Sequence, residues 1–218
     1  MSMRTGLALA AAAAWAALAS FHALGANVWD AGGADTNINT PANWDTDTLP
    51  AFDGTANVTF GTGGGTAAIN ANAAFLGITF NRDGNFTLAD GAGTLTLGAG
   101  GVTARTPSST ARTYTVAEGV TLAADQTWHV TNATGAATLT VSGAITGGAA
   151  SYGITKTGNG TLVLAGDNSY DGPTVVKSNS TVRITHAHAL GGTNGATTVE
   201  TGGRLEVGGG ITVAEPLS

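Results

Sequence analysis

His186 and His188 form the tightest grouping of potential metal ligands in this sequence. A His-x-His pair in a strand sets both imidazoles on one face. Two imidazoles can begin a zinc site, but catalytic zinc takes three protein ligands, and no carboxylate or third histidine lies close by in sequence. A surface turn is therefore the reading adopted, with no metal and no cofactor assigned. His129 falls in an expected strand, 127–130, as a ladder residue, and His22 lies in or beside the N-terminal apolar segment. No Ser, His and acid are spaced so as to announce a nucleophilic triad. Asp45-Thr46-Asp47 offers hard oxygen ligands for weak calcium binding. It lacks the glycine and terminal glutamate of a helix–loop–helix calcium loop, and Gly32-Gly33-Ala34-Asp35 does not continue as a calcium-binding nonapeptide. Aspartates in turns ordinarily bond their own backbone. Lys156, Lys177, Arg183 and Arg204 stand isolated, without a flanking acid cluster. Trp29 and Trp44 are the remaining candidates: a platform on which a glycan ring stacks, or the plug of an open core. The glycine runs 63–65, 98–101 and 208–210 lead into no Gly-Lys-Ser/Thr and open no helix, so they are not phosphate loops. They read as turns where the chain reverses.

The elements that must carry these residues are short strands. Residues 161–164 alternate so that Leu162 and Leu164 share one face while Thr161 and Val163 share the other. Similar segments are expected at 57–60, 67–69, 77–80, 85–88, 94–97, 114–116, 120–122, 127–130, 138–141, 154–156, 174–176, 181–184, 197–200, 204–207 and 211–213. Gly, Asn and Asp turns separate them at regular intervals, the mark of a solenoid, sandwich or barrel. Asp53-Gly54, Asp83-Gly84, Asp90-Gly91 and Asp171-Gly172 would suit hairpins, which keeps a β-sandwich open as the alternative. Three strands per coil would give roughly five coils, each adding about 4.8 Å of height.

The segment 153–190 decides between these. The run Thr155-Lys156-Thr157-Gly158-Asn159-Gly160-Thr161-Leu162-Val163-Leu164, followed by Gly166, Asn168, Tyr170, Gly172, Thr174 and Val176, resembles the autotransporter-associated β-strand repeat. Pro173 and Ser180-Thr181-Val182 depart from the family's usual residues. The lead-in, with Val28-Trp29-Asp30, Ala42-Asn43-Trp44-Asp45 and Asn57-Val58-Thr59-Phe60-Gly61, is more loosely similar to that of such proteins. The resemblance implies an all-β fold, a right-handed parallel β-helix, exported to or through the outer membrane as an autotransporter passenger. It also implies a non-catalytic surface scaffold or adhesin-like rod. Polysaccharide lyases share the parallel β-helix, so a carbohydrate-binding or lyase-like protein is the alternative function.

Composition agrees with export. Residues 1–25 read as a signal peptide: Arg4, a short alanine-rich apolar stretch and small-residue cleavage options. Residues 26–55 are the expected irregular cap, and 56–218 the solenoid, continuing beyond this chain or truncated at its C-terminus. Cysteine is absent, so stacking rather than disulfides must supply stability. A net charge of −6 with only 10% charged residues argues against nucleic-acid binding. No second apolar segment predicts a membrane span in the mature chain, and nothing resembles the amphipathic strands of a membrane barrel. The partners anticipated are extracellular glycans and neighbouring solenoids, the latter including end-to-end self-association through an uncapped last rung.

Overall fold

The computed structural model describes residues 27–61, 63–133 and 137–218. The expected leader, 1–25, and His22 lie outside the described residues. Among the described residues seventeen strands form two sheets, one of ten strands and one of seven. Every pairing between these strands is parallel, each strand lying on its counterpart one coil away. Hairpins require antiparallel neighbours, so the sandwich alternative fails and the architecture is a parallel β-solenoid.

Each coil runs from the ten-stranded sheet to the seven-stranded one. Thus Ile154–Thr157 leads to Thr161–Leu164, and Thr174–Val176 leads to Thr181–Ile184. A third side is built in the middle of the stack, where Val120–Leu122 pairs with Ile145–Thr146 and with the first part of Leu95–Arg105. The seven-stranded sheet gives one strand per coil, more coils than the five expected from counting three strands to each.

Alternation places the apolar side chains of every coil in vertical columns. On the seven-stranded sheet Phe86, Tyr114, Leu139, Leu162, Val182 and Leu205 stand in register, all turned inward. Beside them Thr113, Thr138, Thr161 and Thr181 form an outward row. A β-branched threonine fits a pleated, half-solvated face and keeps its hydroxyl wet. Further along that outer face Arg183 bonds Glu206, 23 residues later. The inner column of the ten-stranded sheet reads Val58, Ile78, Val102, Trp128, Lys156, Val176 and Val199. A lysine thus stands in an otherwise apolar stack.

Two local expectations are corrected. The glycine run 98–101 is not a reversal, because it lies within the strand Leu95–Arg105 at the bend between two sides. Neighbouring backbones cross so closely there that a Cβ on Gly100 would stand 2.7 Å from the Leu76 carbonyl, and Gly101 has φ +60°. The segment 211–213 forms no strand; Ile211 and Val213 are half-buried side chains packed against the core.

Candidate functional site

The two tryptophans do not present a sugar platform. Trp29 and Trp44 are each 0% exposed. They meet edge to face, with ring centroids 5.4 Å apart, and both lean on Phe60. The Trp44 indole N–H donates to the Ile38 carbonyl at 2.7 Å. The lead-in folds this way because Asn43 is pinned by Asp35 and by the Asn37 carbonyl, and Asp45 accepts the Val28 N–H. Of the two readings of Trp29 and Trp44, full burial removes the glycan contact and leaves the plug of the open core. Large aromatics gain more from filling an open core than from remaining at the surface. Asp45 and Asp47 gather no third metal-ligating side chain among the described residues.

The repeat residues are accounted for by burial in the core, by bonds within their own coil and by bonds to the coils on either side. Lys156 is fully buried, and its ammonium donates to the Thr157 carbonyl at 2.6 Å and the Gly158 carbonyl at 2.8 Å. Burial, which disfavours the charged form, pushes its pKa down to about 8. Gly158 adopts φ +82°, a conformation open to glycine, and its carbonyl also accepts from Ser180 of the next coil. Gly160, Gly166 and Gly172 lie where the carbonyls of Ala137, Gly143 and Tyr152 pass directly overhead. Leu162 and Leu164 fill the core. Asn168 accepts the Ile145 N–H at 2.8 Å from the coil before, and donates to the Ala189 carbonyl at 2.6 Å in the coil after. Tyr170 is fully buried, its hydroxyl 2.7 Å from that of Thr174, itself buried. Burial raises the Tyr170 phenol far above its usual range.

Elsewhere the chemistry-bearing groups are mostly engaged. His129 lies in the strand Gln126–Thr131 with Nδ1 3.0 Å from the Thr157 hydroxyl. Burial, and then the Lys156 charge, hold its imidazole below the usual range. Glu118 edges a surface cleft of about 240 Å³ that Thr94, Thr121 and Thr146 also line. Its carboxylate accepts the Gly91 N–H at 3.2 Å and the Gly119 N–H at 3.1 Å. Burial, then the neighbouring Asp90, raises its pKa. His186 and His188 sit in a turn, not a strand. No carboxylate is near them in sequence, but stacking brings one beside them in space: Asp167, one coil earlier. No spacing rule reveals it, because the two segments meet only through stacking.

These features define a parallel β-solenoid whose one clear sequence motif is a device for stacking coils. Residues 154–179 match the family described as Passenger-associated-transport-repeat, and the chain fits an autotransporter passenger-like repeat protein. No curated protein and no solved structure matches it. No helix among the described residues is long and apolar enough to cross a membrane.

Proposed function

We propose that this protein is an exported, non-catalytic scaffold of the cell surface, a passenger-type rod with an adhesin-like or structural role. The observation that carries this reading is the role of the repeat residues. Lys156, Asn168, Tyr170 and Thr174 are turned inward and bonded to backbone or to each other, and none is offered to a substrate. A side chain selected to satisfy buried carbonyls is a building element, and its value grows with each coil stacked on it. The outer face is threonine-rich and sparsely charged, and it is this face that would meet extracellular glycans or a neighbouring rod.

Fractionation of producing cells, followed by an immunoblot against residues 153–190, tests the localisation. The band is expected in the envelope or the medium, and added protease is expected to digest it on intact cells. A band confined to the cytoplasm would overturn the reading. A glycan panel incubated with the protein and calcium tests the non-catalytic part. Release of unsaturated sugars would replace the scaffold with the lyase-like alternative.

A further inference from the structure

The structure assigns Asp167, His186 and His188 as a binding site for a zinc-class divalent transition-metal ion. One potential ligand atom from each residue lies within 4.8 Å of the other two. His188 Nδ1 stands 2.7 Å from Asp167 Oδ1, and His186 Nδ1 stands 3.8 Å from the same oxygen. The imidazole rings meet nearly edge to face at 5.6 Å. Two imidazoles and one carboxylate suit zinc, copper or nickel rather than calcium or magnesium, which prefer an all-oxygen shell. Three protein ligands leave a tetrahedral ion one open position for water or an outside donor.

The backbone beneath the three side chains is fixed before any ion arrives. Asn168, next to Asp167, donates its main-chain N–H to the His188 carbonyl at 3.3 Å and its buried amide to the Ala189 carbonyl at 2.6 Å. The Ala189 N–H donates to the His186 carbonyl at 3.1 Å, closing the turn. A buried repeat residue therefore holds the aspartate's coil against the histidines' coil, and the ligands need only side-chain rotation to close on an ion. Zinc–ligand bonds of about 2.0–2.2 Å set tetrahedral donor atoms roughly 3.4 Å apart, so the 2.7 Å contact must open and the wider ones close. Exposed side chains can supply that movement: 69% of Asp167, 40% of His186 and 63% of His188 is open to solvent. The contacts given up are the 3.2 Å hydrogen bond from the His188 N–H to His186 Nδ1 and the 2.7 Å one between His188 Nδ1 and Asp167 Oδ1. Because Asp167 and His188 are 21 residues apart, a bound ion would pin two successive coils together at one corner. It would stabilise the folded state in proportion to its occupancy.

The test is a titration of tag-free full chain with zinc alone, by calorimetry and by competition with a chromogenic chelator, paired with thermal melts. Saturable binding of one ion per chain and a zinc-dependent rise in Tm reversed by chelator are expected. Asp167→Asn should weaken binding at least about tenfold, and the double variant His186→Gln/His188→Gln should abolish it. His129→Gln should bind as the unaltered chain does. Because Asp167 and His188 are exposed and His186 is half-buried at the surface, their variants should keep the β-type circular dichroism spectrum. Cobalt substitution should give visible absorption that disappears in the double variant. Absence of saturable binding, or binding that survives the double variant, would overturn the assignment. So would weakening in His129→Gln equal to that in Asp167→Asn.

Discussion

The aromatic end of the molecule and the repeat coil solve the same problem by opposite means. Each stretch must close a core without an α-helix or a disulfide. Near the N-terminus, Trp29, Trp44 and Phe60 fill the space with bulk, and Phe60 passes the contact on to Phe80 and Phe86. In the repeat coil the closing groups are polar: Lys156 and Asn168 satisfy carbonyls and an N–H that the turns would otherwise leave buried and unpaired, and the buried Tyr170 and Thr174 hydroxyls pair with each other. Bulk tolerates another large apolar residue in its place, whereas a backbone-satisfying group is defined atom by atom. The comparison teaches why the repeat is recognisable as a motif and the lead-in only loosely so.

Removing bulk gives the largest effect. Trp44→Ala should lower stability by about 3–5 kcal/mol in chemical denaturation, combining a cavity with an unpaired Ile38 carbonyl. Trp44→Phe should recover most of that loss. If the two variants were equally damaging, bulk would not be the operative property of this end.

The repeat coil should show the reverse tolerance. Asn168→Leu is similar in volume but strands the Ile145 N–H and the Ala189 carbonyl, so a loss of about 2–4 kcal/mol is expected. Hydrogen exchange should quicken at Ile145 while remaining slow at Phe80. A neutral outcome would mean that shape alone closes this coil, as it does at the other end.

A smaller effect separates the two regions by pH. The Lys156 ammonium is held down to about 8 when folded, against 10.5 in an open chain. Between these values the unfolded chain binds more protons, so stability should rise with pH. The rise begins near pH 8 and is opposed from about pH 10, where the buried phenols of Tyr114 and Tyr170 resist the ionisation that unfolding permits. Melts from pH 7 to 10 should show the upward limb in the unaltered chain and a flat one in Lys156→Met. A limb that persists in Lys156→Met would assign it to another group.

Arg183→Ala probes neither kind of closure and should have the smallest effect. The Arg183–Glu206 pair lies on the outer face, half of the arginine open to solvent. Such pairs contribute at most about 1 kcal/mol, so a shift in the urea midpoint near the limit of detection is expected. A larger loss would show that the outer ladder joins in holding coils together.

Much of this was legible in the residues. The strands at 57–60, 120–122, 161–164, 174–176, 181–184 and 204–207 coincide with their expected limits, because period-two alternation bounded by turn residues is a local signal. The glycines at 98–101 misled because glycine marks both a reversal and a close crossing of backbones, and composition does not separate the two. Trp29 and Trp44 left two readings open, sugar platform and core plug, because an indole serves either until its neighbours are known; their burial selects the plug. Lys156 was visible as a repeat residue, but its burial between Trp128 and Val176 was not.

The sequence by itself determined the strands, the turns that divide them, the chain's low charge and the repeat, all properties of neighbours along the chain. Only the tertiary structure decided what stands above what. Asp167 meets His188, and Lys156 enters an apolar column, because coils of unequal length close over one another in one register. That register is fixed by packing and hydrogen bonds summed over the whole stack, which no single stretch of sequence contains.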